Sequence, residues 1–130
     1  MIQFRLDPRS GVSTYLQIVH QVRHAVRLGM LRSGDQLPTV KDVVGALAIN
    51  PNTVLKAYRE LEHDGLVEGR PGLGTFVRDK VGGPPPSNHA AIRRGLDRWL
   101  QGAFAAGLDA EDVRALFETS LHAARDEGAA

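Results

Sequence analysis

The chain has 130 residues, of which 42% are hydrophobic, with a formal net charge of +1 and no cysteine. That length holds one small domain with an appendage, and the apolar content supports a folded core and not a disordered tail. The absence of cysteine excludes a disulfide framework and cysteine-based zinc or redox sites, and it fits a reducing cytosol. No apolar run approaches the ~18–20 residues of a membrane span. The opening MIQFRLDPRSG lacks a signal-peptide core, so a cytoplasmic protein is expected. The charge is unevenly divided: residues 1–81 carry 11 Lys/Arg against 8 Asp/Glu, and residues 82–130 carry 5 against 7. A basic front and an acidic rear suit a nucleic-acid module joined to something else.

In chain order, Asp7-Pro8-Arg9-Ser10-Gly11 marks residues 1–13 as a turn-rich lead-in. From Thr14 to about Gly29 the pattern is helical. Tyr15, Ile18, Val19, Val22, Ala25 and Val26 share one face, with His20, Arg23, His24 and Arg27 opposite. Gly29 and Ser33-Gly34-Asp35 stop the helix and turn the chain, and Gln36-Leu37 has room for a very short strand.

Two capped helices follow. Thr39 is a natural N-cap, with Asp42 placed as its capping-box partner, for a helix over Val40–Leu47. Asn50 is a second N-cap and Pro51 takes the first helical position, where its missing N–H costs nothing. The second helix runs from Pro51 to about Asp64, with Gly65 beyond its end. Val54, Ala57, Tyr58 and Leu61 face inward. Asn52, Leu55, Lys56, Arg59 and His63 face out. A short helix, a tight corner and a capped second helix make a helix-turn-helix. Leu66–Arg70 and Thr75–Arg78, around Pro71-Gly72-Leu73-Gly74, then form a β-hairpin. Directly after such a helix pair, a hairpin reads as a wing.

Gly82-Gly83-Pro84-Pro85-Pro86-Ser87 marks a linker over 79–88. Beyond it Ile92, Leu96, Trp99, Leu100 and Ala103 repeat at helical spacing. After Gly107, Asp109 caps a second helix bearing Val113, Leu116, Phe117, Ser120, Leu121 and Ala124. Two such helices bury their apolar faces poorly against each other and require a partner, either the front domain or a second copy.

The stretch LRSGDQLPTVKDVVGALAINPNTVLKAYRELEHDGLVEGRPGLGTFV resembles the winged helix-turn-helix domain of GntR-family bacterial transcriptional regulators, and TYLQIVHQVRHAVRLGML resembles that family's first helix. The resemblance covers about residues 10–78. A tail of only two helices is similar to the YtrA-type branch, whose short C-terminal helices serve dimerisation. The fold expected is mainly α with a small β-hairpin. It comprises a winged helix-turn-helix DNA-binding domain over 1–78, a linker over 79–88 and a two-helix dimerisation segment over 89–130.

The resemblance implies DNA contacts from three places. Lys41 would meet a phosphate. Asn50, Pro51, Asn52 and Thr53 form the tip entering the major groove, with Leu55 and Lys56 following. Arg70, Pro71 and Gly72 are the wing positions. Arg59 lies on the same outer face and has Glu60 and Glu62 as competing partners. Leu55 is apolar where polar residues are frequent and so suits a thymine methyl. Leu73 at the wing tip is not basic, and Ala48 stands in the corner where glycine is common. Ile92, Leu96, Trp99, Leu100, Ala103, Phe104, Val113, Leu116, Phe117 and Leu121 would form the dimer seam.

The function expected is a transcriptional regulator, acting as a repressor, that binds an inverted-repeat double-stranded DNA operator as a homodimer and controls neighbouring transporter genes. The rival reading is a winged-helix module that binds protein, which the polar Asn52, Lys56 and Arg59 face disfavours. No nucleophile–base set, phosphate loop or cofactor motif is present in the sequence, so no enzyme activity, cofactor or membrane partner is expected. His20 and His24 have metal-ligand spacing without a third ligand nearby, and a solvated face is the simpler account. Asp109, Glu111 and Asp112 suit a helix start, where the dipole favours negative charge. Two helices leave little room for an effector pocket of ~300–1,000 Å³. If a small-molecule effector binds, the seam around Trp99, Phe104 and Phe117 is its place, although dimer core is the better reading of those aromatics.

Overall fold

The computed structural model describes residues 2–78 and 89–129, and the linker expected over 79–88 lies outside the described residues. The chain separates into two compact units, divided between Ser87 and Asn88. The first contains α1 (Thr14–Arg27), α2 (Val40–Leu47), α3 (Pro51–His63) and two antiparallel strands, β1 (Val67–Arg70) and β2 (Gly74–Val77).

Each helix begins where the sequence supplies a cap. At α2 the Asp42 N–H donates to Thr39 Oγ1 at 3.1 Å, and the Thr39 N–H donates back to Asp42 Oδ2 at 3.4 Å. At α3 Asn50 Oδ1 accepts the Asn52 N–H at 2.8 Å, with Pro51 in the first turn. Between them Ala48 sits in the left-handed region at φ 53°, the one non-glycine residue with positive φ among the described residues. Such a backbone costs an alanine about 1 kcal/mol or more, because its Cβ crowds the carbonyl.

The apolar faces meet in one core. Ile18, Val19 and Val22 of α1 and Val54, Ala57 and Leu61 of α3 are all fully enclosed, with Val43, Leu37, Val67 and Val77 around them. Tyr58 is buried among them and turns its hydroxyl to the Pro38 carbonyl at 2.6 Å. Burial, and secondarily the Asp42 carboxylate, push that phenol well above the ordinary tyrosine value.

Two features differ from the expectation. The lead-in is structural: Phe4 is buried in the core, with Ile2 and Leu6 packed beside it. Its backbone is held by glutamines of α1. Gln21 accepts from the Arg5 N–H and donates to the Arg5 carbonyl, while Gln17 does the same for Asp7. Gln36-Leu37 forms a single bridge to Phe76 and not a strand. The Leu37 N–H donates to Thr75 O at 2.9 Å and the Val77 N–H to Asp35 O at 2.8 Å; beyond them the Pro38 carbonyl accepts the Tyr58 hydroxyl and Thr39 caps α2, so the chain leaves the sheet.

The second unit is a helical hairpin of α4 (His89–Ala105) and α5 (Ala110–Ala129). Gly107, at φ 97°, closes α4, and the Leu108 N–H returns to Ala103 O. Asp109 and Asp112 exchange two cap bonds of 2.8 and 3.0 Å at the start of α5. Among the described residues of this unit only Val113 is buried. Among the described residues no helix is long and apolar enough to cross a membrane.

Ala48→Gly is expected to raise stability by up to about 1 kcal/mol in urea unfolding, since glycine removes the left-handed strain. Tyr58→Phe is expected to cost about 1–2 kcal/mol by leaving the Pro38 carbonyl without its donor. The raised phenol pKa fixes the sign of the pH effect. The unfolded chain loses the proton first, so this contribution is complete below the ordinary tyrosine value of 10.0 and falls as pH rises above it. Wild type should therefore lose stability more steeply than Tyr58→Phe above about pH 10, measured by parallel unfolding titrations.

Candidate nucleic-acid interface

The outward face of α3 exists because its inward face is occupied. Val54, Ala57, Tyr58 and Leu61 are buried, which turns Asn52, Lys56 and Arg59 to solvent, with Leu55 half-buried at the margin. Asn50 and Pro51 are exposed at the tip and Thr53 is half-buried. The first amides of the helix are already used. The Asn52 N–H goes to Asn50 Oδ1, and the Thr53 N–H goes to the Asn50 carbonyl at 3.0 Å. Any contact from this tip therefore falls to side chains, principally the Asn52 amide and the Lys56 ammonium. The amide nitrogen of Asn50 remains available while its oxygen caps the helix.

Lys56 does not extend freely. Its Nζ lies 4.0 Å from the centroid of the Tyr15 ring, on the first turn of α1. Arg23 of α1 forms an ion pair with Asp64, just past the end of α3. Both pairs span 41 residues of sequence, so α1 and α3 run side by side in the same sense. Arg59, exposed on α3, makes no ion pair with Glu60 or Glu62. Glu62 instead accepts the Gly69 N–H at 3.2 Å, tying the end of α3 to β1.

The wing pairs Val67 with Val77, Glu68 with Phe76, Gly69 with Thr75 and Arg70 with Gly74. Its turn is closed by the Leu73 N–H to the Arg70 carbonyl, and its tip is held from below by Gln36 Nε2, which donates to the Leu73 carbonyl at 3.2 Å. Arg70 bonds Glu68 through both Nε and an Nη, at 3.1 and 2.8 Å, and lies over the Phe76 ring at 4.4 Å. Its charge is therefore partly spent within the wing, which weakens a simple phosphate role. Pro71, Gly72 and Leu73 are exposed. A shallow hollow is lined by Thr39 together with Gly69–Thr75, bringing the capped start of α2 beside the wing. Lys41, one turn in from that cap, is exposed.

Several contributors escaped the sequence reading. Tyr15 was legible as an apolar-face residue, and nothing in its spacing announced the lysine above it. Gln36 and Phe76 were placed in a short strand and a hairpin, without their roles beneath the wing tip and Arg70. His20 and His24 stack at 6.4 Å between ring centroids on the far side of α1.

In the second unit the proposed seam residues are largely uncovered. Ile92 is 66% exposed, Phe104 52% and Phe117 47%, with Leu96, Trp99, Leu116 and Leu121 near 40%. Leu100 and Ala103 are intermediate, and Val113 is the buried exception. Leu96, Trp99, Leu116 and Phe117 line a cleft between α4 and α5.

Residues 14–77 match the family described as bacterial regulatory proteins, gntR family. Over 81 residues the chain is 42% identical to the HTH-type transcriptional repressor YtrA of Bacillus subtilis (strain 168), covering 62% of this chain and 61% of that protein. The matched stretch thus spans about three fifths of the length of such curated relatives. A transcriptional regulator from Oenococcus oeni superposes with a TM-score of 0.52 at 30% identity, covering 93% of this chain and 97% of that one. YtrA from Sulfolobus acidocaldarius, a GntR-family transcription factor, superposes at 0.55 with 26% identity, covering 75% of this chain and 97% of that one.

Gly74→Ala tests the wing anchor. Gly74 has φ 128°, and a Cβ there would come within 2.6 Å of Gln36 Nε2. The amide can swing aside, but the Leu73 carbonyl then loses its donor and the backbone strain stays. The expected cost is more than about 1 kcal/mol, with faster amide exchange in Leu73–Val77 than in α1.

Proposed function

This chain belongs to the gntR family of bacterial regulatory proteins, and we propose that it is a transcriptional repressor that binds an inverted-repeat operator as a homodimer. The α3 face carries this reading: a capped helix tip whose buried side fixes its orientation and whose free side presents Asn52, Leu55 and Lys56 in sequence. Asn can pair bidentately with adenine, Lys reaches guanine O6 and N7, and an apolar side chain suits a thymine methyl. Lys41 near the start of α2, Thr53 at the α3 tip and the wing at Arg70–Gly72 set register on the phosphates. For Arg70 this requires releasing one of its two bonds to Glu68.

The second unit supports the dimer reading. Ile92, Trp99, Phe104, Phe117 and their neighbours keep apolar surface exposed, and burying each such side chain is worth about 1.5–3 kcal/mol. A second copy of the same hairpin offers a self-complementary cover. A two-fold dimer carries two α3 tips, so the half-sites lie about one helical turn, or a multiple of it, apart. Repression is the activity for which the Bacillus subtilis relative is named. The resemblance to the YtrA-type branch further implies neighbouring transporter genes as targets. The α3 face favours nucleic acid over protein as partner, and a steep loss of affinity with salt distinguishes the two.

Selection of bound sequences from random duplex DNA, followed by titration of the enriched site, tests the proposal. Lys56→Ala is expected to cost about 1–3 kcal/mol of discrimination between the enriched site and random duplex. Lys41→Ala is expected to weaken binding to every duplex and to flatten the salt dependence. Equal losses on specific and random DNA for Lys56→Ala would remove its base-reading role.

A further inference from the structure

Lysine is a compact charge on a flexible four-carbon stem, poorly suited to reading one base edge unless something holds its end. Here the end is held. The Lys56 ammonium stands 4.0 Å from the Tyr15 ring centroid, and Tyr15 is half-buried against the core in the first turn of α1. The buried seam of Ile18, Val19 and Val22 with Val54, Ala57 and Leu61 fixes α1 against α3, and Arg23 meets Asp64 two turns further along both helices. The ring is therefore a seat fixed to the framework and not another mobile surface group.

Resting on the proposed DNA reading, we infer that Tyr15 is a specificity-determining positioning residue: its aromatic face seats the Lys56 ammonium so that its outward N–H donors meet the paired acceptors of a guanine. An ammonium on a ring face turns part of its charge toward the ring, while its remaining donors point away from it. Enclosing the pair against a base edge removes water, which strengthens the attraction to the ring. The seat thus holds Lys56 most firmly when the correct base is present. Tyr15 touches no base; it acts through Lys56.

The test uses the full chain and the duplex enriched by wild type from random DNA. Tyr15→Leu keeps an apolar residue against the core and removes the aromatic face. It is expected to lower affinity for the enriched duplex about two- to five-fold, the range of an exposed cation–π contact, with random-duplex affinity and salt slope unchanged. Tyr15→Phe, which keeps the face, should stay within about two-fold of wild type. In a Lys56→Met background, Tyr15→Leu should have no further effect, which a merely structural role for Tyr15 would not produce. A readout that needs no variant accompanies these. The Lys56 ε-methylene protons should be shifted upfield by the ring in the free protein and remain so on the enriched duplex. Unchanged or tighter binding by Tyr15→Leu, an equal loss in the Lys56→Met background, or loss of the upfield shift on DNA would overturn the inference. Failure of wild type to enrich any sequence would instead overturn the DNA reading, and the role of the seat with it.

Discussion

Helix α3 depends on the dry seam it shares with α1. Its 13 residues are about the length at which an isolated helix is marginal in water, so its persistence comes from burying Val54, Ala57, Tyr58 and Leu61 against Ile18, Val19 and Val22. That seam also fixes which residues look outward. A rotation of α3 by one residue would turn Lys56 toward the core and expose Tyr58 and Leu61. The orientation of the candidate reading face is therefore a consequence of packing, and the polar residues on it are bystanders to the folding that displays them.

Polar contacts then refine what the core has oriented. The Thr39–Asp42 box and the Asn50 cap set where α2 and α3 begin, and the Tyr58 hydroxyl joins α3 to the entry of α2 at Pro38. The wing is held by a second set of clips: Glu62 to the Gly69 N–H, Gln36 to the Leu73 carbonyl, and the edge bonds from Asp35 and Leu37. These bonds are partly exposed and individually modest, at about 1 kcal/mol each. Their value lies in tying a two-stranded ribbon, marginal alone, to a rigid domain. The ion pairs behave differently. Arg70 is divided between Glu68 and the Phe76 ring, and exposed pairs of this kind stabilise little.

The helical hairpin of α4 and α5 reverses this economy. It has sound local signals, a left-handed glycine at one end of the turn and a carboxylate box at the other, and yet it buries almost nothing by itself. Good caps define a helix's ends without supplying a core. A unit built this way leaves apolar surface to be covered, which is the physical ground for proposing a second copy as its cover.

Periodicity, cap residues and turn residues located the five helices among the described residues, the hairpin and the caps at Thr39, Asn50 and Asp109, because these are short-range properties: side chains three or four residues apart share a helix face, and a cap binds its own first turn. The family resemblance also marked Ala48 as a corner position where glycine is common, and its φ of 53° agrees. What tertiary structure decided involves residues far apart in the chain. Phe4 entered the core because Gln17 and Gln21, which read as ordinary polar helix residues, hold the lead-in backbone. Gln36-Leu37 stopped at one bridge because the next residues are engaged elsewhere, Pro38 with the Tyr58 hydroxyl and Thr39 in the cap of α2. Lys56 came to rest on Tyr15, and Arg70 on Phe76, through placements that no local spacing encodes. The chain's order of residues thus determined which elements form and which face each one buries. Only the packing of those elements determined which side chains on the outer face are free and which are already held.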